Sequence, residues 1–185
     1  LNADEALNYG ISIINSFKVF ARDSQLVLDY YITDFQNKVV IDWETPSKIN
    51  FYNLTGKSFS NSFQIQYSYN VSNSIDILFA YKNTIAKTDY ISQGRLKNPL
   101  TPENRVFFNF AYDGPKNKKG GNWKYDLTYN HIGKQRLPST LSNPVEYRIS
   151  NFSERLNLIN TQITRVFSEK FQIYLGVENL TNYRQ

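Results

Sequence analysis

The sequence predicts an all-β chain, and three observations carry that expectation. Apolar and polar residues alternate with period two in segment after segment. No stretch keeps a 3.6-residue apolar stripe over three turns, and β-branched and aromatic residues fill the periodic segments. In "YGISIINSFKVF" the odd positions Tyr9, Ile11, Ile13, Phe17 and Val19 are apolar, while Ser12, Ser16 and Lys18 occupy even ones. Leu26, Leu28, Tyr30 and Ile32 repeat the pattern against Asp29 and Thr33. Phe63, Ile65, Tyr67 and Tyr69 repeat it against Gln64, Gln66 and Ser68.

The stripes continue as Ile75, Ile77, Phe79 and Tyr81, then Val106, Phe108, Phe110 and Tyr112, then Trp123, Tyr125, Leu127 and Tyr129. The segment near 154–167 is less regular because Asn160 and Gln162 interrupt its apolar row, and Phe171, Ile173, Leu175 and Val177 form the last stripe. Eight strands are expected, at about 8–20, 25–43, 58–70, 74–91, 102–113, 122–134, 154–167 and 171–183.

The connections alternate in length. "ARDS" at 21–24, "VSN" at 71–73 and "SEK" at 168–170 are tight turns, whereas longer links rich in Pro, Asn, Ser and Gly lie at about 44–57, 92–101 and 135–153. Short turns at one end and long loops at the other are the pattern of an outer-membrane barrel. The link "DGPKNKKGGN" at 113–122 falls on the turn side and is longer than that pattern expects. Strands of about ten residues or more match a tilted bilayer crossing better than a soluble sandwich. Aromatic residues gather toward strand ends (Tyr9, Phe20, Tyr30, Tyr31, Tyr67, Tyr69, Tyr81, Tyr112, Trp123, Tyr129), as interfacial girdles require. Tyr 14 and Phe 13 in 185 residues, an aromatic share of 16%, fit the same expectation. The pattern alone leaves open a complete small eight-stranded barrel acting as anchor or adhesin, a passive porin and a soluble β-sheet binding module.

The net charge of +5 does not point to nucleic acid. Its one basic run, "KNKK" at 116–119, is flanked by Gly114-Pro115 and Gly120-Gly121 and reads as a solvated turn. Without cysteine the chain has no disulfide and no thiolate metal site. His131 is the only histidine, with no spaced acidic partner, so a surface or loop-packing role is expected. Asp29, Asp34, Asp42 and Glu44 lack calcium-loop spacing and read as an exposed polar strand end. No metal, cofactor or catalytic residue is therefore assigned.

Four blocks carry a family resemblance: "LNYGISIINSFKVF…LVLDYYITDFQNKVVIDWE", "NPLTPENRVFFNFAYD", "WKYDLTYNHIGKQRLPS" and the closing "GVENLTNYRQ". Together they resemble the C-terminal barrel of TonB-dependent outer-membrane receptors of the Bacteroidetes type. The resemblance implies that residues 1–185 are an antiparallel transmembrane β-barrel segment of about eight long meander strands, part of a barrel of about 22 strands. It also implies energy-coupled uptake of a scarce ligand of unknown identity, with no chemistry on that ligand. The expected partners are outer-membrane lipid, the rest of the same receptor, and TonB, reached through an N-terminal part with plug and TonB box. On this view Gln185 precedes a last loop and a closing strand.

Gln64, Gln66, Asp76, Lys124 and Asp126 are expected to face the lumen and plug. Trp43, Tyr52, Tyr90, Arg95, Arg136 and Tyr147 are the ligand-contact candidates on the long loops, because aromatic and arginine side chains dominate binding hot spots. Lys134 and Arg136, in "GKQRLPST", open the longest loop, where three roles stay open: contact with an anionic ligand or lipopolysaccharide, packing against a neighbouring loop, and lipid-headgroup contact.

Overall fold

The computed structural model describes residues 1–184 and consists almost wholly of antiparallel strands. Eight long strands follow one another as a meander: β1 (Glu5–Val19), β2 (Arg22–Asn37), β5 (Ser58–Ser72), β6 (Ile75–Tyr90), β8 (Asn104–Asp113), β9 (Asn122–Ile132), β10 (Leu156–Ser168) and β11 (Phe171–Val177). Three short strands lie in the long connections. β3 (Val39–Asp42) pairs with β4 (Asn50–Asn53) as a separate hairpin, and β7 (Gly94–Lys97) extends the sheet beside the end of β6. β1 and β11 each pair with one neighbour only, so among the described residues the sheet is open.

The expected strands are all present, with three corrections. The strand expected at 25–43 breaks at Lys38, where β3 leaves the main sheet for β4. The links at 44–57 and 92–101 contain β4 and β7. The strand expected to reach 183 ends at Val177, because Asn179 and Asn182 take left-handed backbone angles, φ 53° and 48°. There the Asn179 amide oxygen accepts the Tyr183 N–H at 2.9 Å and the Thr181 hydroxyl at 3.0 Å. The "NLTNY" block is thus a side-chain-closed turn, tied back to β10 by the Leu180 N–H on the Ile159 carbonyl at 2.8 Å.

Register turns the period-two sequence into two unlike faces, since residues directly opposite one another share a face. One row joins Leu26, Tyr67, Phe79, Phe108, Tyr129 and Ile159 across six strands; the next joins Tyr69, Ile77, Phe110 and Leu127. On the opposite face Gln25, Ser68, Leu78, Asn109, Thr128 and Asn160 align. On the polar side Gly10 faces Tyr31, and a Cβ there would lie 2.5 Å from the Tyr31 ring and the Tyr30 carbonyl, so the ring covers the glycine.

Aromatic stacking concentrates at the turn end of the apolar face. Phe17, Tyr67 and Tyr69 stack in sequence, Trp123 stacks on Tyr125 with the Tyr112 ring tilted against it, and Phe167 stacks on Phe171. The Arg165 guanidinium lies 5.0 Å from the Trp123 ring and 5.4 Å from the Phe167 ring. The "KNKK" link is a compact turn: the Asn117 amide oxygen accepts the Lys119 and Gly121 N–H groups, each at 2.9 Å, and Gly120 supplies φ 79°.

A single sheet has no second layer to bury its apolar face. Ile11, Ile13, Phe79, Ile163 and Leu175 are accordingly exposed, while the buried apolar side chains, Val40 and Tyr90, lie under the long loops.

Candidate functional site

The long loops interlock at one end of the sheet, around a group of charged and polar side chains. Glu44 follows β3 and is 2% exposed, and Asp42, the last residue of β3, is 1% exposed. Both were expected at an exposed polar strand end; the folded loops cover them instead. Arg136 reaches across from the third loop and donates to both Glu44 carboxylate oxygens, at 2.8 and 2.5 Å, in a bidentate pair. Its Nε donates to the Lys97 carbonyl at 2.5 Å, which ties in β7. The Leu100 N–H donates to the Arg136 carbonyl at 2.9 Å, and short bridges pair Pro102 with Gln135 and Arg136 with Phe152. Three loops therefore converge on one guanidinium. The Glu44 hydrogen bonds and charge raise the affinity of Arg136 for its proton against the opposing effect of burial.

Asp42 organises a second junction. The Tyr52 hydroxyl donates to it at 2.8 Å, the Ser92 hydroxyl reaches both its oxygens at 3.0 and 2.8 Å, and the Glu44 N–H lies at 3.1 Å. Tyr52 also accepts the Ile91 N–H at 3.0 Å, so its ring bridges the first and second loops. Burial works to raise the Asp42 carboxyl, but these hydrogen bonds outweigh it and hold the group below the usual carboxylate range. Burial pushes the Tyr52 phenol up to about 12, with Asp42 adding to the rise and the Ile91 N–H opposing it. The phenol thus remains the donor.

A group whose folded pKa is depressed stabilises the fold above its unfolded value, about 3.9 for Asp, and that stability is lost as pH falls through the folded value. Acidification below about pH 4 is expected to release the Asp42 junction. The amides of Glu44 and Ile91 should then lose hydrogen-exchange protection before those of β5 and β6. Protection at Ile91 that stays level through this range, or that falls identically in Asp42→Asn, would refute the assignment.

The candidate loop residues divide by environment. Arg95 donates to both Asp89 oxygens at 2.7 and 3.0 Å and holds that carboxyl low. Tyr90 is 6% exposed, and burial raises its phenol. Tyr52, Tyr90, Arg95 and Arg136 are thus engaged within the loop assembly, whereas Trp43 and Tyr147 present 36% and 68% of their surface. Tyr147 sits on a 3-10 turn (Val145–Tyr147), beside exposed Leu141, Val145 and Ile149. Of this apolar tip only Tyr147 was singled out by sequence; Val145, Tyr147 and Ile149 alternate with Glu146 and Arg148, but over five residues inside a link rich in Pro, Asn and Ser.

Gln64, Gln66, Asp76, Lys124 and Asp126 all fall on the polar face by register. Asn109 donates to Asp126 at 3.0 Å, Asn70 to Asp76, and Lys124 pairs with Asp113 at 2.9 Å. His131 rests its Nδ1 2.7 Å from the Asn157 amide oxygen, which the Tyr129 hydroxyl also reaches at 2.9 Å. Compared with protein-family models, curated proteins and solved structures, the chain matches none.

Proposed function

We propose that this chain is a wall segment of a TonB-dependent outer-membrane receptor, in which the apolar face meets lipid, the polar face lines a plugged lumen, and the interlocked loops face outward. The observation that carries the reading is the two-faced single sheet, whose exposed apolar side ends in stacked aromatics at the short turns. An apolar face without a protein layer needs another apolar phase, and interfacial aromatics mark where such a phase meets water.

Strand length supports it: 15 residues, as in β1 and β5, rise roughly 35 Å along the bilayer normal at a 45° tilt, enough to cross the hydrocarbon and carry loops beyond it. The open edges at β1 and β11 suit pairing with further strands of the same wall, since unpaired backbone is not tolerated in lipid. In this reading Trp43, Tyr147 and the apolar tip of the third loop offer the ligand contacts. Tyr52, Tyr90, Arg95 and Arg136 position those loops, and the ligand is moved by gating without covalent chemistry.

The test is extraction and intact mass. The natural polypeptide containing these residues should fractionate with outer membranes, require detergent, and have a mass several times 21.6 kDa. A detergent-extracted mass near 21.6 kDa would replace the receptor with a small closed barrel. A protein soluble without detergent would exclude both.

A further inference from the structure

Behind the loop junction lies a cavity of about 400 Å³ whose walls come from the second and third loops and the outer ends of β8 and β9. Lys97, Lys134, Arg136 and Arg155 line it, with Glu103 the acidic member. The charges are not balanced. Lys97 pairs with Glu103 at 2.5 Å and Arg136 with Glu44, while Lys134 and Arg155 have no ion-pair partner among the described residues. Both are exposed at the cavity, so two free cations and the N–H-rich Arg155 fork converge on one concave space.

The cavity's place on the sheet narrows its ligand. Asn104 and His131, two of its lining residues, belong to the apolar face by register: His131 stands opposite Val106, and Asn104 opposite Asn83, two residues beyond Tyr81. The rim of the apolar face therefore runs directly into the cationic cavity. We infer that this cavity binds a phosphomonoester, supplied by the headgroup of a lipid in the leaflet that bathes the loop end, with Lys134 and Arg155 as the phosphate contacts. The lipid source rests on the barrel-wall reading; the phosphate chemistry rests on the cavity alone.

The full natural polypeptide, purified in detergent, would be reconstituted into phosphatidylcholine vesicles with and without a minority of phosphatidic acid. Flotation reports membrane insertion, and native mass spectrometry after extraction reports the lipid retained. The wild type should retain phosphatidic acid over phosphatidylcholine, and inorganic phosphate should not displace it. Lys134→Ala with Arg155→Ala should lower retention about tenfold, as two exposed charge-assisted contacts imply. Lys116→Ala with Lys118→Ala, at the turn end, should leave it unchanged. Equal retention by the cavity variant, or equal loss in the turn variant, overturns the site. Displacement by inorganic phosphate overturns the headgroup assignment in favour of a soluble phosphomonoester. If the protein does not float, the barrel reading fails separately, and phosphorus NMR titration of wild type and cavity variant with inorganic phosphate decides the cavity: matching line broadening overturns it.

Discussion

Arg136→Ala should release the loop assembly from the sheet while leaving the meander folded. The guanidinium is 11% exposed and its Glu44 partner fully covered, so truncation leaves a buried carboxylate whose nearest remaining donor is the Ser139 N–H, at 3.4 Å. Breaking a buried pair from one side costs about 3–5 kcal/mol, far more than a surface ion pair contributes. The loss is local because the pair joins loops rather than strands. Proteolysis between residues 38 and 57 and between 133 and 155 should accelerate, and the Leu100 amide should lose protection, while β5 and β6 amides exchange as before. Arg136→Lys keeps the charge but cannot span both Glu44 oxygens and the Lys97 carbonyl, so it should fall between wild type and alanine. Glu44→Ala combined with Arg136→Ala should be less disruptive than either alone, because no unpaired charge remains. Wild-type loop exchange in both single variants would rule out the latch.

The long strands were legible because each writes its own period into the sequence, and tertiary context needed only to pair neighbours. The loop end was not. Nothing in "NKVVIDWE" marks Lys38 as a break, since the apolar run continues without Gly or Pro; β3 leaves the main sheet and pairs instead with β4. β4 and β7 have four residues each, too few to establish a period.

The burial of Asp42 and Glu44 depends on Arg136, 92 positions from Glu44, and on Ser92, 50 positions from Asp42. No local pattern encodes contacts of that range. Tyr52, Arg95 and Arg136 were chosen for ligand contact by residue type, and residue type does not separate a side chain that binds a partner from one hydrogen-bonded within the loop assembly. Turn chemistry could have ended β11 earlier. Asn179 and Asn182 are residues that tolerate left-handed angles, and they stand where the strand stops.

Ile65→Arg should separate a membrane wall from a water-borne sheet by several kcal/mol. Ile65 lies near the middle of β5, in a row with Ile13, Leu28, Tyr81 and Val106, between Tyr69 toward the turns and Phe59 toward the loops. In a barrel wall this is near the bilayer midplane, where an arginine on the lipid face costs about 2–4 kcal/mol. The neighbouring Gln66→Arg adds the same charge to the opposite face, beside a hydrated lumen, and should cost little. Folding efficiency into phosphatidylcholine vesicles, read by heat-modifiable mobility and urea midpoint, should therefore drop for Ile65→Arg and stay near wild type for Gln66→Arg. A soluble sheet would reverse the expectation, because a half-exposed isoleucine facing water gains solubility from a charge. Equal midpoints for the two variants would mean that register separates the faces by composition without setting them against different solvents, and the transporter reading would lose its physical basis. The comparison needs no knowledge of the ligand, since it asks only which face of β5 meets hydrocarbon.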